Sequence, residues 1–169
     1  MKERVLRRQC RRLLRELDIQ APLDVRALCD RLARHRGRPI KLVDYPLPVP
    51  GEFGVWFASD TTDYVLYQRE TTKTHQDHII LHEVGHIIAG HSSDETDDAL
   101  LQRLYPDIAP DVVRRALLRR THYDADQERE AETVATIILE WASVINYVAP
   151  QVPGGRALQT ALNGRRGWL

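Results

Sequence analysis

Cysteine is nearly absent from this chain, with Cys10 and Cys29 alone and far apart. No Cys-x-x-Cys pair exists, so a disulfide framework is not expected, and two buried thiols in a reducing compartment are. An excess of one charge is also lacking. The 24 basic residues balance 24 acidic ones, which removes any global pull toward nucleic acid or anionic membrane. Lysine occurs only at Lys2, Lys41 and Lys73, and arginine, spread along the chain, carries the remaining positive charge. Long apolar runs are missing: nothing reaches the roughly 18 residues of a membrane span. The longest uncharged stretch, 141–155, is interrupted by Asn146, Pro150, Gln151 and Pro153. The opening Met1-Lys2-Glu3-Arg4-Val5-Leu6-Arg7-Arg8 has no apolar centre of a secretory signal. These absences predict a cytoplasmic protein without a membrane span. No repeat or low-complexity segment stands out.

What is present is ordinary globular composition, 43% apolar and 28% charged over 169 residues, enough for one domain with a sizeable core. The expected domain covers 1–150, with a basic helix at 2–17 packed on it and a tail at 151–169. In Val5 to Leu17, the apolar residues Leu6, Cys10, Leu13 and Leu17 recur at helical spacing. The opposite face carries Arg4, Arg7, Arg8, Arg11, Arg12 and Arg15. Such a face can bind nucleic acid or a partner, but it reads first as a solvated surface, and no direct nucleic-acid contact is expected. Asp24 can cap a second helix that buries Val25, Leu28 and Leu32 and stops at Gly37. Pro39 to Val43, Gly54 to Ser59 and Tyr64 to Gln68 read as short strands, with a hairpin turn at Asp60 to Asp63. Helices are then expected at about 75–90, 96–105, 110–120 and 125–148, with a short one near 156–162. The predicted class is α+β, a small sheet beside a helical body.

Within the first of these later helices lies His82-Glu83-Val84-Gly85-His86. Residues four apart project from one helix face on adjacent turns, so two imidazoles can reach one ion. Glu83, one residue on, would stand beside the open coordination position and could take a proton from a water activated there. The flanking Ile79, Ile80, Leu81, Ile87 and Ile88 predict a buried helix, in which unpartnered histidines and a glutamate would be costly. Thr74 and Asp77 resemble a capping box for its start, and Gly90 is a natural stop. His78 also lies four residues before His82, but a His78–His82 pair leaves Glu83 and His86 without a role. His91 does not complete a metzincin pattern: it follows His86 by five residues rather than six, and Ala89 replaces the required glycine.

A third ligand is required. Glu128, Glu130 and Glu132 lie at the start of an apolar stripe of Ala131, Ala135, Ile138, Trp141, Ala142 and Ile145. Glu128 continues that stripe and is the expected ligand, with Glu130 the alternative. Glu132 could orient a ligating histidine.

With these features the chain resembles the ImmA/IrrE family of bacterial metallopeptidases. The resemblance rests on the helix led by Pro22-Leu23-Asp24, on strands leading into the His-Glu-x-Gly-His helix, and on Glu128-Arg129-Glu130-Ala131. It covers residues 20–148. It implies a zincin-like fold with an antiparallel-type sheet, Zn2+ held by His82, His86 and Glu128, and Glu83 as general base. It also implies cytoplasmic cleavage of a protein partner, a repressor-like DNA-binding regulator. Glu132 and Val134-Ala135 depart from the family's usual Asn or Asp and Phe-Ala, and Ile137 to Trp141 departs from its Leu-Leu-Met-Pro-like close.

Tyr64-Val65-Leu66-Tyr67 is read as an edge for pairing an extended substrate. Tyr123 and His122 are candidate oxyanion donors, although both read first as loop residues. The competing function is a non-catalytic, partner-binding regulator with a structural or vestigial zinc site.

Overall fold

The computed structural model describes residues 3–47, 53–58, 61–91 and 123–148, the last five by backbone alone. The expected helices at 96–105, 110–120 and 156–162, and His122, lie outside the described residues.

Helix α1 (Glu3–Glu16) buries Leu6, Cys10 and Leu14. Leu14 takes the inward place expected for Leu13, which is half-buried against the same core. Asp18 adopts φ 50° and ends the helix, a left-handed conformation that aspartate tolerates better than most residues. The arginine face is solvated: Arg7 pairs with Glu3 at 2.8 Å and Arg12 with Glu16 at 2.7 Å, one turn along the helix. Helix α2 (Val25–Arg36) is bounded as expected. Asp24 accepts from the Arg26 and Ala27 amides, and Gly37 at φ 66° caps the end. Arg31 ties the two helices by donating to the Leu17 and Asp18 carbonyls.

Strands β1 (Ile40–Tyr45), β2 (Gly54–Ala58) and β3 (Asp63–Gln68) form one sheet in the order β1-β3-β2. β2 and β3 run antiparallel, but β1 runs parallel to β3, so the sheet is mixed rather than antiparallel. Every residue of β3 is buried. The segment read as a substrate edge is therefore the central strand, with both sides already paired. One face of the sheet places Ile40, Trp56, Val65 and Tyr67 in the main core. The other gathers Leu47, Val55, Phe57, Tyr64 and Leu66.

Helix α3 (Lys73–Ala89) crosses the middle of the fold, against α2, β2, β3 and the last helix. Thr72 rather than Thr74 is its N-cap, accepting from the His75 amide, and Gly90 at φ 75° ends it. Helix α4 (Ala125–Val148) packs along α3 and α1. Its start is fixed by a capping box at Asp124–Gln127. Asp124 accepts from the Asp126 and Gln127 amides, and the Gln127 side chain accepts from the Asp124 amide. Farther along, the Trp141 indole donates to the Ile19 carbonyl at 3.2 Å. Among the described residues no helix is long and apolar enough to cross a membrane.

Candidate metal centre

Two helices meet at an unusually short distance, and the centre forms where they do. A Cβ built on Gly85 of α3 would lie 2.5 Å from the Ala131 carbonyl oxygen of α4 and 2.9 Å from its Cα. Only glycine admits that approach. It sets the last turns of α3 against the first turns of α4, where the capping box has placed Glu128.

Across this contact the Nε2 atoms of His82 and His86 lie 3.3 Å apart. Glu128 reaches both, at 3.1 Å from His82 Nε2 and 3.9 Å from His86 Nε2. All three ligand atoms fall within 4.8 Å of one another, and the three residues form the one such group among the described residues. The donor set fits a cation. Ligands at about 2.0–2.2 Å in a tetrahedral site stand about 3.3–3.6 Å from each other, close to these separations. His86 is fully enclosed, whereas His82 and Glu128 are half-buried. The convergence point is thus anchored on its inner side and reachable from outside, as a site with an exchangeable position must be.

Around it the other candidates separate. Glu132 lies one turn beyond Glu128 and faces His82 Nδ1 at 3.3 Å, the orienting contact expected of it. With a cation held between His82 and Glu128, a carboxylate there would keep the proton on Nδ1 and leave Nε2 for the ion. Glu130 points elsewhere: it meets His91 Nε2 at 3.1 Å, and His91 Nδ1 in turn lies 2.9 Å from His86 Nδ1. Glu130 therefore lies outside the group that could hold a metal, and His91 sits behind His86. His78 faces Glu132 at 3.6 Å instead of pairing with His82 around an ion. Tyr123, just before α4, stacks on the His86 ring with centroids 3.8 Å apart and planes at 19°. It closes one face of that imidazole.

Glu83 is 2% exposed. A Cβ on Gly54 of β2 would come within 2.8 Å of its Oε1 and 2.5 Å of Ile79 Cγ2. The missing side chain at 54 thus makes the room in which the carboxylate lies. Neither this contact nor that of Gly85 could be read from local sequence, because each depends on what another element brings opposite the glycine.

No protein-family model, curated protein or solved structure matches the chain.

Proposed function

We propose that the chain is a zinc-dependent endopeptidase with a zincin-like fold, related to the ImmA/IrrE metallopeptidases. The observation that carries this reading is the convergence of His82, His86 and Glu128, with the buried Glu83 next to His82 in the same helix. Two imidazoles and a carboxylate on a His-Glu-x-x-His helix suit zinc better than harder cations. When bound, the metal supplies Lewis acidity, lowering the pKa of a water and polarising the scissile carbonyl.

The chain's own residues do the rest. His82, His86 and Glu128 would hold the metal, and Glu132 orients His82. Glu83 takes a proton from the attacking water as the C–O bond forms, and delivers it to the leaving nitrogen as the C–N bond breaks. Its burial beside Gly54 limits its hydration and holds it in one place. An extended substrate needs a free strand edge. Among the described residues β2, not β3, is an outer strand of the sheet, and its Gly54 touches Glu83, so β2 is the strand assigned to that role here. The resemblance supplies the partner, a repressor-like DNA-binding protein cleaved in the cytoplasm.

A purely structural metal site needs no buried carboxylate next to its ligands, which favours catalysis over a partner-binding role alone. The test is Glu83→Gln, assayed against a peptide library. The variant retains one zinc per chain and loses hydrolysis by about 10²–10⁴-fold. Undiminished cleavage by that variant overturns the assignment of Glu83.

A further inference from the structure

Behind the ligand set lies a contact pair that the proposed chemistry does not use. Gly90, in its left-handed conformation, turns the chain so that the His91 amide donates back to the His86 carbonyl at 3.1 Å. That turn brings the His91 ring under His86, with Nδ1 to Nδ1 at 2.9 Å. On its far side His91 Nε2 meets Glu130 Oε2 at 3.1 Å. His86 and His91 are enclosed, at 0% and 6% exposure, and Glu130 lies at the margin of the core, at 16%.

Hydrogen positions follow from the acceptors. Glu130 is an acceptor, so His91 Nε2 carries a hydrogen and donates. A neutral His91 then offers its Nδ1 lone pair, and His86 Nδ1–H donates to it. His86 is left with its lone pair on Nε2, the atom that lies 3.3 Å from His82 Nε2 and 3.9 Å from Glu128.

We infer that His91 and Glu130 form a positioning relay that holds His86 in its metal-binding tautomer and ring orientation. The relay matches the Glu132–His82 contact, so each ligating histidine is backed by a carboxylate: His82 directly, His86 through a second imidazole. This inference rests on the reading of His82, His86 and Glu128 as a metal site. It explains why Glu130, although close in sequence to Glu128, is not in the ligand set. It also gives a role to the histidine that fails the metzincin spacing.

The test is zinc affinity by chelator competition on the full chain, with unfolding of the metal-free proteins measured in parallel. His91→Ala removes the acceptor for His86 Nδ1–H and raises the zinc Kd by about 10–100-fold. His91→Asn places an amide oxygen where Nδ1 stood and recovers most of that loss. Glu130→Ala, which changes a side chain at the margin of the core, weakens zinc about 10-fold and serves as the second variant should His91→Ala fail to fold. A merely structural His91 would lower metal-free stability and leave Kd unchanged, with no selective rescue by Asn. Wild-type affinity in folded His91→Ala or Glu130→Ala overturns the relay. Absence of zinc binding by the wild-type chain instead removes the metal reading on which the relay depends. As a readout independent of affinity, nitrogen-15 spectra of the metal-free wild type should show His86 protonated at Nδ1, a preference lost in His91→Ala; a metal-free His86 protonated at Nε2, or a tautomer unchanged in His91→Ala, overturns the relay directly.

Discussion

Gly85 of α3 lies directly against the backbone of Ala131 in α4, leaving no room for a side chain between them. In an isolated helix alanine is favoured over glycine by about 1 kcal/mol. Here the added methyl would meet backbone atoms at 2.5–3.0 Å, which cannot rotate away. Packing therefore outweighs propensity. Gly85→Ala is expected to lower the unfolding free energy by about 1–3 kcal/mol and to weaken metal binding, because the same contact spaces Glu128 from the two histidines. Urea denaturation and a zinc titration check both effects; a variant more stable than the parent and fully metal-competent contradicts the account.

A second prediction concerns Asp63, which is fully buried at the start of β3. It accepts from Arg36 at 2.6 Å, Arg38 at 3.1 Å and the Trp56 indole at 3.2 Å, joining the end of α2 to the sheet. Asp63→Ala leaves these donors without their acceptor. The loss should fall at or below the lower end of the ~3–5 kcal/mol for breaking a buried pair, because the two arginines remain 29% and 28% exposed. Asp63→Asn keeps one acceptor oxygen and should lose less. Equal urea midpoints for parent and Asp63→Ala would contradict a role in holding the sheet.

The two cysteines give a pH dependence. Burial raises the Cys10 and Cys29 thiols from 9.0 to about 12, and both are free in the fold. The unfolded chain ionises them at the ordinary value and the folded chain does not. Their contribution to stability is whole below about pH 9 and is lost as pH rises toward about 12. A thiol reagent at pH 8 should leave both unmodified in the native protein and label two per chain after denaturation. Rapid native labelling contradicts the packing of α1 and α2.

Much of this was legible locally. Asp24 and Gly37 mark the ends of α2 because capping is a short-range matter, and the apolar stripe after Glu128 places α4. The clustering of His82, His86 and Glu128 is legible in part, because the four-residue step pairs two histidines and the stripe favours Glu128 over Glu130. Thr72 was masked by its neighbours, since Thr71, Thr72 and Thr74 all offer a hydroxyl near the start of α3. The strand order of the sheet is not legible in the same way, although Tyr64 to Tyr67 is uninterrupted by charge, as suits a strand buried on both faces. Its parallel partner β1 is distant in sequence, so no turn announces the pairing. Spacing bears on His91 only as a ligand; its place behind His86 depends on the Gly90 turn and on a glutamate 39 residues away.

The most direct test of the central claim is metal content per chain, by elemental analysis of protein purified without added metal or chelator. The account predicts about one zinc in the wild type, none in His82→Ala, His86→Ala or Glu128→Ala, and full occupancy in Glu83→Gln. A wild-type chain that holds no metal and takes up none on zinc titration would contradict it.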